Sequence, residues 1–267
     1  MQEAIAFRRS SFLASPEWIN EPWKGYEKLD VHRLQDLMAE MSCVIETGYQ
    51  RMATPTFEEV NNLISECWRL EGKLCAFFEG LEACAAGPLY WTTVSSGGNA
   101  PMNSDESRSI FPLVLHFRNV ETAQICMVYW AITAILWSGM KYAYLIQSAL
   151  AMSYFSSTTP ATEEFNVEKL TQAISKSHPL PLEHRENPVS LAKQICQSLE
   201  YCWEYGTDAV EKAAVFPLKV AIETLNDDPE CSRELAWALA AMGRASAGLR
   251  IMNHFGVPLT DHAFIPG

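Results

Sequence analysis

Seven residues, Met127, Trp130, Ala134, Trp137, Lys141, Tyr144 and Ser148, recur three and four positions apart, and on an α-helix that spacing puts them on one face. Two indoles, a phenol and an ammonium so aligned could line a pocket for a flat or polycyclic hydrophobic small molecule. The rings would contribute apolar area, and Lys141 could bind a carboxylate or polarise a carbonyl. The same spacing also serves plain core packing, with Lys141 reaching the surface or a buried acid. A second group, His178, Glu183 and His184, sits in a connection built around His178-Pro179-Leu180-Pro181. A histidine and a carboxylate facing a cavity could do general acid-base work; on a solvated connection they would only face water. Asp261 and His262 are chain neighbours, and adjacent residues seldom orient one another as a catalytic dyad.

No Gly-x-Ser-x-Gly, His-Glu-x-x-His, dinucleotide fingerprint or zinc-ligand set occurs. Hydrolase, oxidoreductase and metalloenzyme readings therefore lack a motif, and neither a metal nor a cofactor is expected. Cyclisation, cycloaddition or isomerisation by shape, desolvation and one or two hydrogen bonds would leave no motif at all. The eight cysteines, at 43, 67, 75, 84, 126, 196, 202 and 231, contain no Cys-x-x-Cys pair. Most lie among apolar residues, where a free thiol packs as a small hydrophobe. That usage points to a reducing compartment, cytosol or nucleus.

Acidic residues outnumber basic ones 32 to 20, for a formal charge of −12. The only adjacent basic pair is Arg8-Arg9, so the clustered cations that displace phosphate counterions are missing and direct nucleic-acid binding is not expected. The start of the chain carries Glu3 and no continuous apolar run, unlike a secretory signal. Residues 125–140 form the most apolar stretch, with a second apolar run after Lys141. Placing Lys141 in or beside a bilayer would be costly, so a fully enclosed core helix is expected instead of a membrane span.

The elements that must position these residues are helices. With 48% hydrophobic residues over 267 positions, the chain can bury a sizeable core. Long stretches of apolar residues at three-and-four spacing argue for an all-α, irregular multi-helix domain around one central buried helix. A single domain over 1–267 is expected, with an irregular lead-in over 1–29, a long loop over 85–112 and a C-terminal tail over 254–267. Helix starts are marked at Asp30, at the capping-box pair Thr56 and Glu59, at Asn187-Pro188 and at Asp228-Pro229. The central helix is expected from about Arg118 to Tyr154, with Gly139 a candidate break, and Pro217 is a candidate kink or fresh start. The Ser95-Ser96-Gly97-Gly98-Asn99-Ala100-Pro101 run lies in the long connection as a candidate lid. No Gly-Lys-Ser/Thr follows its glycines, so it is not a phosphate loop.

Three C-terminal stretches carry a resemblance. They are Phe216-Pro217-Leu218-Lys219-Val220-Ala221, Cys231-Ser232-Arg233-Glu234-Leu235-Ala236-Trp237-Ala238, and Phe255-Gly256-Val257-Pro258-Leu259-Thr260-Asp261-His262-Ala263-Phe264. With Ser15-Pro16-Glu17-Trp18 near the start, they resemble the C-terminal regulatory domain of fungal six-cysteine zinc-cluster transcription factors. The motifs concern packing, not catalysis. The resemblance implies a helical regulatory domain that controls activation, that in some members binds a hydrophobic small molecule, and that can form a homodimer. Members carry a cysteine-rich basic module and further helices upstream, whereas here Met1 falls just before the Ser-Pro-Glu-Trp stretch. The chain is thus expected to be either one part of a longer protein or a free-standing relative without DNA binding. The alternative function is a cofactor-independent enzyme of secondary metabolism, with Trp130, Trp137, Lys141 and Tyr144 around its substrate.

Overall fold

The computed structural model describes residues 2–51, 54–97, 101–157 and 187–247. Its helices, in chain order, are α1 (Gln2–Ala6), α2 (Pro16–Asn20), α3 (Asp30–Arg51), α4 (Phe57–Cys84), α5 (Ser104–Ile110), α6 (Val120–Ser157), α7 (Pro188–Tyr205), α8 (Asp208–Asn226) and α9 (Ser232–Ala247). Two short strands, β1 (Tyr90–Val94) and β2 (Leu113–Phe117), flank α5. Among the described residues the architecture is all-α apart from this antiparallel pair.

The long central helix α6 organises the rest. Ala131, Ile132, Ala134, Ile135, Leu136 and Met140 are completely shielded from solvent, so α6 is apolar around its circumference and needs neighbours on every side. They are α3 and α4 from before it in the chain and α7 and α8 from after it. The stretch 120–153 is long and apolar enough to cross a bilayer, yet the most apolar part of it is largely buried inside the protein. The helix continues through Gly139. The loss of helix propensity at a glycine is only about 1 kcal/mol, small beside the burial around it. Pro217 likewise sits inside α8 without ending it. The missing amide and ring clash cost about 3 kcal/mol, which the burial of Phe216, Leu218, Val220 and Ala221 offsets at roughly 1.5–3 kcal/mol for each large side chain.

Local signals set the helix starts. Thr56 Oγ1 accepts from the Glu59 amide at 3.2 Å while the Thr56 amide donates to Glu59 Oε2 at 3.0 Å, a complete capping box. Asn187 Oδ1 accepts from the Val189 amide at 3.1 Å ahead of Pro188. Asp228 caps a 3-10 turn, Pro229–Cys231, that leads directly into α9.

The stretch 85–112, expected to be a long loop, instead contains β1 and α5. Tyr90 pairs with Phe117 and Val94 with Leu113, so β1 exists through residues that follow it much later in the chain. Tyr-Trp-Thr-Thr-Val buries little of itself and shows no alternation to betray a strand. The irregular lead-in carries α1, α2 and two 3-10 turns, Phe12–Ala14 and Glu21–Trp23. Helix α1 is tied to α3 by burial of Ile5 and Ala6.

Candidate functional site

Among the described residues, the α6 face does not gather around a single pocket. Met127 is buried with its sulfur 3.6 Å from Cys202 Sγ. Trp130 meets the Tyr90 ring edge-on at 5.4 Å and the Phe117 ring at 6.3 Å. Ala134 and Trp137 are also core. One turn later the face emerges: Lys141 and Ser148 are exposed and Tyr144 is half-buried. The Tyr144 hydroxyl accepts from Trp68 Nε1 of α4 at 2.9 Å. Close by, Gln147 donates to Asn61 Oδ1, so polar pairs set how α4 and α6 align. His178, Glu183, His184, Asp261 and His262 lie outside the described residues.

Concave regions among the described residues flank this framework. A cleft of about 360 Å³ holds Lys141, Tyr142, Leu145, Asn187, Thr224 and Asp228. Of the α6 candidates only Lys141 reaches it. A larger groove, about 900 Å³, runs between the 19–33 segment, the first half of α3 and the second half of α4. Ile19, Leu29, Leu37, Ala76, Phe77 and Leu81 supply its apolar surface. The three-and-four spacing places Leu37 of α3, and Phe77 and Leu81 of α4, on faces that turn toward each other.

Charged side chains ring the groove, and the acids Glu27, Asp30, Asp36, Glu40 and Glu121 outnumber the bases Lys28, Arg33 and Lys73 by five to three. The bases are committed to partners. Lys28 bonds Asp36, and Arg33 meets Glu27 at 3.0 Å and Asp30 at 3.5 Å. Lys73 meets Glu40 at 2.9 Å, with Arg69 on the same carboxylate. Burial pushes the Glu40 carboxyl up, but Lys73 and Arg69 outweigh it and hold it below the ordinary carboxylate range. Glu121 has no ion-pair partner among the described residues. The rim is therefore a partly neutralised acidic frame around an apolar floor.

A third feature left only a faint trace in the sequence. Glu200, on α7, reaches the turn after β1. Ser95 Oγ donates to its Oε2 at 2.6 Å, and the Ser96 amide and hydroxyl donate to Oε1 at 2.8 and 2.7 Å. Burial pushes this carboxyl up, yet these bonds and the Gly97 amide together draw it below its ordinary value. The candidate lid is thus pinned at Ser95–Gly97 to α7. The available signal was an acid four residues after Cys196 on the apolar stripe of α7. Among the described residues, no three His, Cys, Asp or Glu side chains gather in a metal-binding set. Compared with protein families, curated proteins and solved structures, the chain matches none.

Proposed function

We propose that the chain is a regulatory binding domain, responsive to an amphipathic ligand that lies in the groove between the 19–33 segment, α3 and α4. The observation that carries this reading is the groove itself. At about 900 Å³ it falls within the roughly 300–1,000 Å³ usual for small-molecule sites. Its apolar floor suits a hydrophobic body, and the excess of acids on its rim suits a basic group. The regulatory role rests on the resemblance to the effector half of fungal zinc-cluster activators. The eight free cysteines support a reducing compartment, cytosol or nucleus, and the acidic balance argues against direct nucleic-acid contact. A cofactor-independent enzyme on the α6 face would need a cavity beside Trp130 and Trp137, and those rings are engaged in core packing.

The test is a titration of matched amphipathic amines and carboxylates, followed by methyl NMR. Amines should bind saturably and shift the Leu37 and Leu81 methyls, and Phe77→Ala should weaken binding about tenfold, as loss of a buried aromatic contact implies. Shifts confined to other surfaces, or carboxylates binding better than amines, would defeat the assignment. Hydrogen exchange with the saturating amine then examines regulation: protection should extend beyond the groove walls into α6, and protection limited to the walls would make the chain a passive carrier.

A further inference from the structure

We infer that the protein has a built-in site for one water molecule beneath the Ser95–Gly97 turn, and that this water joins α5, α7 and α9 through Ser107, Glu200 and Trp237. The site is a small, partly open cavity of about 10 Å³, and the polar members of its lining are Ser95, Ser107, Glu200 and Trp237. Phe111 and Trp203 are among its apolar members. Phe111 stands edge-on to Trp237 at 4.9 Å, and the Trp203 ring lies 6.0 Å from it.

Two side chains on this wall are each 4% exposed, and their polar atoms, Ser107 Oγ and Trp237 Nε1, have no protein partner among the described residues. An indole N–H can only donate, so Trp237 requires an acceptor. A serine hydroxyl can do either, and both groups border the same space. Buried polar groups of this kind are almost always satisfied. A cavity of this size holds one water and nothing larger. Placed here, the water accepts from Trp237 Nε1 and from Ser107 Oγ and donates to one oxygen of the Ser95–Glu200 pair. That makes three hydrogen bonds, the usual number for a buried water.

The consequence is a polar joint between segments distant in sequence. Ser107 belongs to α5, Glu200 to α7 and Trp237 to α9. The same two outer helices are bridged again where Arg233 donates to Ser109 Oγ at 2.7 Å. The water and this bond together hold α5 and α9 in one relative position, while Glu200 ties both to the turn after β1.

The experiment is a high-resolution crystal structure of the whole chain, combined with water-to-indole cross-relaxation NMR in solution. The expected result is one ordered peak within hydrogen-bond reach of Ser107 Oγ and Trp237 Nε1, with a long-lived water contact at the Trp237 indole proton. Trp237→Phe and Ser107→Ala should each lower the folding equilibrium constant about five- to tenfold. The double variant should fall short of the product of the two, because both substitutions act through one water. An empty cavity, a direct protein partner on Trp237 Nε1, or strictly multiplicative losses would overturn the inference. Should Trp237→Phe fail to fold, loss of the water contact at the indole in Ser107→Ala supports the site, and its persistence unchanged counts against it.

Discussion

Replacing Glu200 by alanine should release the turn after β1 and cost the protein about 3 kcal/mol, as the loss of acceptors for buried donors implies. The figure follows from what each donor can do afterwards. Ser96 is exposed, so its amide and hydroxyl, now 2.8 and 2.7 Å from the carboxylate, can turn to water and recover most of their bonding. Ser95 and Gly97 are buried. The Ser95 hydroxyl, at 2.6 Å the closest donor, loses a charge-assisted bond and keeps only a neutral one, to the water beneath the turn; charge-assisted bonds contribute roughly 1.5–3 kcal/mol. Urea denaturation should read this as a midpoint lowered by about 1 M, for a slope near 3 kcal/mol per molar. Hydrogen exchange should accelerate at the Ser96 and Gly97 amides and along the β1–β2 pairing, while α3 and α4 stay unchanged. The effect also depends on pH. Since the folded-state carboxyl lies below its unfolded value, its contribution is fully present above the ordinary carboxylate range. It is lost as pH falls through the lowered folded value. The gap between wild type and Glu200→Ala should therefore be widest at neutral pH and narrow in acid. A gap below 1 kcal/mol at neutral pH, or one that widens in acid, would refute the reasoning.

Tyr144→Phe should cost about 1 kcal/mol by removing the acceptor of the Trp68 Nε1 bond, and tryptophan emission with thermal unfolding reads both changes; an unaffected stability would mean the bond is not formed in solution. Thiol labelling of the native protein should modify exposed Cys84 first. Burial pushes the Cys67 and Cys126 thiols up to about 12 and Cys196 upward as well, so these three should react only on unfolding, as peptide mass mapping would show.

The helix starts were legible because each is written within four residues. Thr56 and Glu59, or Asn187 and Pro188, satisfy their amides with groups the same short segment supplies. The burial of α6 was legible for a related reason, since a helix apolar on every side can only be enclosed. The chemistry assigned to its face was not. Met127, Trp130, Lys141 and Tyr144 share a stripe in any α-helix, but whether the stripe meets packing or solvent depends on where α4, α7 and β1 end. The structure sinks the first two into the core and leaves Lys141 outside.

By itself, then, the sequence determined the all-α class, the central helix and the caps, since these rest on periodicity and on bonds between near neighbours. Tertiary structure alone decided the β1–β2 pair, the groove and the Glu200 pin. Ser95 and Glu200 are 105 residues apart, and the groove draws on positions from Ile19 to Glu121. Each residue type there is ordinary in its own segment. Its role appears only when the burial of α6 draws the surrounding elements together, for hydrogen bonds and ion pairs act over a few ångströms of space, whatever the separation along the chain.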